Sequence, residues 1–409
     1  MNTKFYLLLP FLFLIKSVSS QEIKNEPKFG ISLSGFVKAD LLYDSRQTEN
    51  LREAMVLLYP LNSLYDKNGN DINAKSSFNQ SAITSRLIGV ITGPDAFKAK
   101  TSALIEADFT GQSNSNNNGF RLRHAYLKLN WKKSLLLIGQ YWHPLDVIET
   151  APNVLALNTG APFRSFNRSP QIRFEKYFGK LSIIAAAVSQ RDYTNDGPIG
   201  ASSDYIRNSS IPNFNLQFQF KSNENIFGLG ADYKQLTPRL ITDSLIKANE
   251  TIDSYSAIAF AKFTLPFLTI KAQSILGQNL YDHTMMGGYA VEKIDTLTGK
   301  RTYTTLNQLT AFIDMQTKGA TFKAGLFLGY AKNLGSLKNI RGAYYSRGKD
   351  IEYAYRIAPR LMWFSGKICI ASEFEYTVAA YGDKNSLGEV SNSKEIGNTR
   401  INLGAIFSF

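Results

Sequence analysis

From residue 213 to residue 221 every second side chain is large and apolar. Phe214, Leu216, Phe218 and Phe220 alternate with Asn215, Gln217, Gln219 and Lys221. Successive side chains of a strand point to opposite faces, so this segment has a greasy face and a polar face. The end of the chain repeats the pattern: Ile401, Leu403, Ala405, Phe407 and Phe409 share one face, and Arg400, Asn402, Gly404 and Ser408 share the other, with Ile406 the exception. A strand of this kind left at a free edge templates aggregation unless another strand pairs with it. A sheet closed on itself supplies that partner. If the polar face lines a water-filled lumen and the apolar face meets lipid, the fold is a transmembrane β-barrel.

The start of the chain is consistent with export. Lys4 precedes an apolar run from Phe5 to Ile15, and Val18 and Ser20 are small enough for a signal-peptide cleavage site before Gln21. Residues 1–20 are expected to be removed, and residues 21–29 to form a short periplasmic segment. No later apolar run reaches the ~18–20 residues a spanning helix needs. Mean hydropathy is only −0.18, as a barrel that hides its lipid-facing residues in alternation would show. The 21 Tyr and 27 Phe suit aromatic girdles at the two membrane interfaces. A single cysteine, Cys369, excludes an intrachain disulfide framework.

The two-residue rhythm recurs in about sixteen segments between Ile31 and Phe409. Tight turns such as Gly93-Pro94-Asp95, Phe178-Gly179 and Ser365-Gly366 alternate with long polar connections, as periplasmic turns and extracellular loops do. The expected architecture is one all-β domain over residues 30–409. Two strands read as apolar on both faces, Leu181 to Val188 and Ser254 to Thr264. They suit either a subunit interface or a position beneath a loop folded inward.

The third long connection, residues 144–170, carries apolar side chains that a solvated loop has no use for: Leu145, Val147, Ile148, Ala151, Val154, Leu155 and Leu157. It is expected to fold into the lumen and narrow it. Asp146 and Glu149 on one part, and Arg164 and Arg168 on the other, would then set a transverse field across the constriction. An arginine facing lipid at mid-membrane costs roughly 2–4 kcal/mol, so strand charges should face the lumen. Lys38, Arg86, Glu106, Arg121, Arg123 and Arg173 are the pore-lining candidates. Alternation places Lys38 and Arg173 inward, whereas the face of Arg121 and Arg123 also holds Leu127 and Leu129. Formal charge is +13, and removal of Lys4 and Lys16 with the leader leaves +11. A basic interior favours anions.

Gly35-Phe36-Val37-Lys38-Ala39-Asp40, Arg121-Leu122-Arg123-His124-Ala125-Tyr126, Gly139-Gln140-Tyr141-Trp142 and Ser169-Pro170-Gln171-Ile172-Arg173 resemble DcaP-like outer-membrane porins, especially those of Bacteroidota. The resemblance is clearest before residue 180. It implies a trimeric, sixteen-stranded porin with a constricting third loop that passes small, often anionic solutes. The chain is expected to depart from some members in having no N-terminal periplasmic coiled coil.

Other functions find little support. A barrel enzyme needs a nucleophile with a base in reach, and the three histidines, His124, His143 and His283, have no metal-ligand spacing. Only Asp282 beside His283 hints at catalysis. No Gly-x-Ser-x-Gly elbow is present. No cofactor is expected, and an exported chain without a recognition motif is not expected to bind nucleic acid. The expected partners are outer-membrane lipid, small polar or anionic solutes and two further copies of the chain. The alternative is a surface receptor or adhesin acting through long loops such as 44–80 and 334–350.

Overall fold

The computed structural model describes residues 29–409. The expected leader, and residues 21–28 of the short segment after it, lie outside the described residues. The wall begins with β1, Gly30–Asp44. Its partner β2 comes in two pieces, Ser77–Ser81 and Arg86–Thr92, which pair in succession with the upper and lower halves of β1. Then follow β3 Lys100–Asp108, β4 Arg121–Trp131, β5 Ser134–Trp142, β6 Arg168–Phe178, β7 Leu181–Val188 and β8 Asn213–Ser222. The other half is β9 Asn225–Leu236, β10 Ile252–Thr264, β11 Leu268–Gln278, β12 Asn307–Thr317, β13 Phe322–Asn333, β14 Ile351–Ser365, β15 Ile368–Lys384 and β16 Val390–Ser408. Each strand pairs antiparallel with its chain neighbour. β16 returns to β1 with Val37 opposite Phe407 and Tyr43 opposite Ile401. The result is a closed barrel of sixteen staves, β2 counted once.

Burial is inverted relative to a water-soluble protein. On β8, Phe214, Leu216, Phe218 and Phe220 are 44–48% exposed, whereas Asn215, Gln217 and Gln219 are at most 4% exposed. The greasy face is the outer one and the polar face the inner one, as a lipid-embedded wall requires. The same alternation explains why these residues form strands at all. With no core to bury the apolar face, only closure and lipid satisfy both faces at once.

Three details depart from the sequence reading. β16 starts at Val390, ten residues before Arg400, where the alternation at the end of the chain begins. Its first part, rich in Ser, Asn, Lys and Glu, pairs with the upper end of β15; it needs no apolar face there. β2 is broken at residues 82–85, where Thr84 hydroxyl donates to Asp40 at 2.7 Å. On β4 the register with β3 shifts between the Glu106 and Ala107 pairings. This bulge puts one extra residue into β4 and flips its parity. Arg121 and Arg123 therefore face inward and are buried, while Leu127 faces outward and is 45% exposed. The mixed face read from the sequence is two correct faces joined by a bulge.

The two strands apolar on both sides also resolve. On β10, Ala257 and Ala259 look outward, and Ile258 and Phe260 look inward. The inward pair packs with Leu145 and Val147 of the third long connection and with Ile275. On β7, Ile184 and Val188 are the buried, inward residues.

Candidate functional site

The third connection runs over residues 143–167, because Arg168 to Pro170 already belong to β6. Its apolar side chains sit on inward-facing apolar residues of the wall. Leu157, Ala161, Phe163 and Phe166 join a cluster with Trp142, Phe312, Phe327, Ala354 and Ala358. Leu155 packs on Cys369 and Ala371. Each such Leu, Val or Phe contributes about 1.5–3 kcal/mol when taken out of water. Two wall glycines make the approach possible. A Cβ at Gly329 would stand 2.5 Å from the Phe163 ring, and one at Gly404 would stand 2.9 Å from Leu155.

Polar side chains of the wall then hold the backbone of the segment. Lys38 Nζ donates to Leu155 O at 2.7 Å, and Lys271 Nζ to Ala151 O at 2.7 Å. Glu373 accepts from the Leu155 and Ala156 amides at 3.0 and 3.1 Å. Asp314 accepts from the Asn153 amide at 3.0 Å and pairs with Arg360 at 2.7 Å. Arg356 donates to Ala161 O at 3.0 Å, and also to Leu57 O and Leu58 O. Buried charges are tolerated when they are paired and hydrogen-bonded in this way. Arg356, Arg360, Asp314, Lys271 and Glu373 were not among the candidates from sequence. Each is a single polar residue on an inner face, and periodicity alone does not distinguish a wall charge from a loop anchor.

Arg356 also shows what was missed in the first connection. Residues 44–80 are expected from the sequence to form a long polar loop. They contain a hairpin, Thr48–Leu51 with Val56–Pro60. Met55, Val56, Leu58 and Tyr59 pack in the same cluster as Leu157 and Phe163. Asn158 side-chain N–H donates to Leu57 O at 3.1 Å, and Arg400, paired with Asp44 at 2.6 Å, donates to Ala54 O at 2.8 Å. The run Met55-Val56-Leu57-Leu58-Tyr59 was the available signal.

The expected opposition of charges within the third connection is corrected. Asp146 and Arg164 form an ion pair with each other and are 2% and 1% exposed. They neutralise each other inside the segment because an isolated charge there would be costly. Arg168 lies among the rings of Trp142, Phe166 and Tyr193, at 4.9, 5.2 and 5.1 Å from their centroids. Glu149 alone reaches a wall cation, Lys221, at 3.2 Å. Most wall candidates also pair. Arg121 is bidentate to Asp108, at 3.1 and 2.8 Å. Arg123 bridges Glu106 and Asp108 at 2.5 and 2.9 Å. Arg86 lies 3.4 Å from Glu106, Lys38 pairs with Asp40 at 2.8 Å, and Arg173 with Glu175 at 2.9 Å. Among these candidates Arg86, Arg173 and Glu149 are the partly exposed ones. The last two border a polar cavity of about 170 Å³ together with Lys128, Tyr141, Glu175 and Gln217.

A model of the DcaP outer membrane protein family matches residues 30–234. The chain belongs to that family. No curated protein matches it. Its fold is similar to the outer membrane channel DcaP of Acinetobacter baumannii, at 16% identity, TM-score 0.67, and coverage of 93% of this chain and 97% of that one. It is also similar to the trimer form of OmpT of Vibrio cholerae, at 10% identity, TM-score 0.55 and coverage of 93% and 99%. OmpF of Salmonella typhi gives 10% identity, TM-score 0.54 and coverage of 93% and 97%.

As a member of the DcaP family the protein is an outer-membrane channel and not an enzyme. The histidine beside an acid then has a structural reading. His283 Nδ1 is 2.8 Å from Ser165 Oγ, and Asp282 lies 3.7 Å from its Nε2. All three are buried. Phe166 N donates to His283 O at 2.9 Å, so this contact ties the sixth connection, residues 279–306, to the third. Burial pushes the His283 imidazole down to about 3, against the opposing pull of Asp282.

Proposed function

We propose that the protein is a diffusion porin for small hydrophilic, anionic solutes. The third connection narrows the lumen from within, and the passage follows the wall from β4 to β8. The observation that carries this reading is the uneven state of the inner charges. Around β12, β14, β15 and β16 they are buried and committed to holding backbone. Along β4 to β8, Lys128, Arg173, Glu175, Glu149 and Lys221 are partly exposed beside a polar cavity. Arg86, Arg121 and Arg123 are wall neighbours of this route and add to its positive field. A field of that sign raises the local concentration of anions. The trimer form of OmpT supports a homotrimer for this chain as well.

Purified protein in a planar bilayer under a potassium chloride gradient tests the reading. Discrete current steps with a reversal potential of chloride sign are expected. Steps of cation sign would overturn anion preference, and a silent bilayer would overturn conduction.

A further inference from the structure

Arg168 is the one fully buried arginine of its cluster that meets no carboxylate among the described residues. Its Nη2 donates to Tyr193 hydroxyl at 2.7 Å. Its Nε and Nη1 reach no protein acceptor, although the residue is 0% exposed. A guanidinium keeps its proton at any ordinary pH, so it cannot escape the cost of burial by becoming neutral.

The surroundings do not compensate it. Trp142, Phe166 and Tyr193 offer their ring faces, which attract a cation. The Trp142 ring is already shared, because Arg123 stands 5.8 Å from its centroid and Arg168 4.9 Å. Three carboxylates serve the neighbourhood; two are engaged by other arginines, and Asp192 has an oxygen without a hydrogen-bond partner but does not reach Arg168. Glu106 is taken by Arg123 and Arg86, Asp108 by Arg121 and Arg123, and Asp192 lies 3.6 Å from Arg121. Against these three stand Arg86, Arg121, Arg123 and Arg168. Arg52 of the first connection adds a fifth cation: its guanidinium is held below the ordinary arginine range by burial and by Arg121. The cluster is buried at Arg121, Arg123 and Arg168, partly exposed at Arg52 and Arg86, and holds more cations than carboxylates.

We propose that the Arg168 cage binds a small monovalent inorganic anion of halide size. The anion accepts from Nε and Nη1 of Arg168 and is walled by Trp142, Phe166 and Tyr193. It is a fixed structural ion set into the wall beside the third connection, and it does not depend on the conduction reading. Its chemistry is that of a charge-assisted hydrogen bond in a dry site, where such bonds are strong.

Bromide tests this directly. Crystals of the detergent-solubilised protein grown or soaked in bromide should show an anomalous peak within hydrogen-bonding reach of Arg168 Nε and Nη1. In solution, chloride or bromide should raise Tm relative to gluconate at equal ionic strength, and Arg168→Met should abolish that difference. No bromide peak in the cage overturns the proposal whatever the Tm values show. Equal Tm in halide and gluconate overturns it as well. If Arg168→Met does not fold, the peak in the unaltered protein decides alone. Because neither readout involves current, anion-selective conduction without a bromide peak would sink this site and leave the porin reading standing.

Discussion

The two sides of the lumen treat charge differently. Around β12 to β16, Asp314, Arg356, Glu373 and Arg400 are at most 2% exposed, and all four bond the backbone of the third connection or of the first-loop hairpin in more than one place or with an ion-pair partner. Along β4 to β8 the charges pair with one another near an opening: Glu149 with Lys221 at 3.2 Å and Arg173 with Glu175 at 2.9 Å. The difference teaches what inner charge is for in this barrel. On one side it anchors loops, where a lost partner strands a buried ion. On the other it faces water, where a lost partner changes the field and little else.

Substitutions test that contrast, from the one that should remove the most stability to the one that should remove the least. Arg356→Ala deletes the donor to Ala161, Leu57 and Leu58 and leaves Glu375, 3.4 Å away, without it. Breaking a buried pair costs about 3–5 kcal/mol. A lower Tm and protease cleavage within residues 143–167 are expected; an unchanged digest would argue that Arg356 is no anchor. Gly329→Val places a branched side chain where the Phe163 ring now lies. Overpacking of this kind costs about 1–3 kcal/mol, and displaced Phe163 should leave larger, noisier current steps.

Acid should act through His283. Its folded pKa lies near 3, below the ordinary 6.5. The neutral imidazole is favoured in the folded protein, so its contribution is complete above pH 6.5 and is lost as pH falls toward 3. Unfolding followed across that range should show Tm falling with acid, and His283→Gln should flatten the slope. On the open side, Arg173→Gln together with Lys221→Gln should cost at most about 1 kcal/mol per pair, because these pairs are partly solvated. The reversal potential should nevertheless move toward cations. Lys100→Ala, which removes an exposed pair with Asp95 at the β2–β3 turn, should change neither Tm nor selectivity measurably.

How far this contrast was legible in the sequence depends on which physical signal carried it. Alternation is local, so β8, expected over residues 213–221, lies within one residue of the observed Asn213–Ser222. The end of β16 was equally plain, but its beginning at Val390 was hidden because strand above the membrane carries no lipid-facing residues. The β4 bulge was hidden for a related reason: one extra residue turns a clean alternation into an apparent conflict between Arg123 and Leu127. The apolar content of residues 144–170 was readable, since Leu145, Leu155 and Leu157 have no place in water. Which charges hold that segment was not readable. Asp146 and Arg164 looked like opposing poles, and only their meeting in space shows that each cancels the other. The hairpin at residues 48–60 escaped because a short apolar run lay between long polar stretches.

On the proposed reading, solutes pass along β4 to β8 and not beside the anchored wall. Cysteine accessibility measures it most directly. In a Cys369→Ser background, Lys221→Cys and Asn402→Cys are each exposed to a charged, water-soluble thiol reagent during single-channel recording. Lys221 is 42% exposed by side chain, and Asn402 is 1% exposed. The reagent is expected to cut current steps in the Lys221→Cys channel and to leave the Asn402→Cys channel unchanged. Block at Asn402→Cys with none at Lys221→Cys would contradict it.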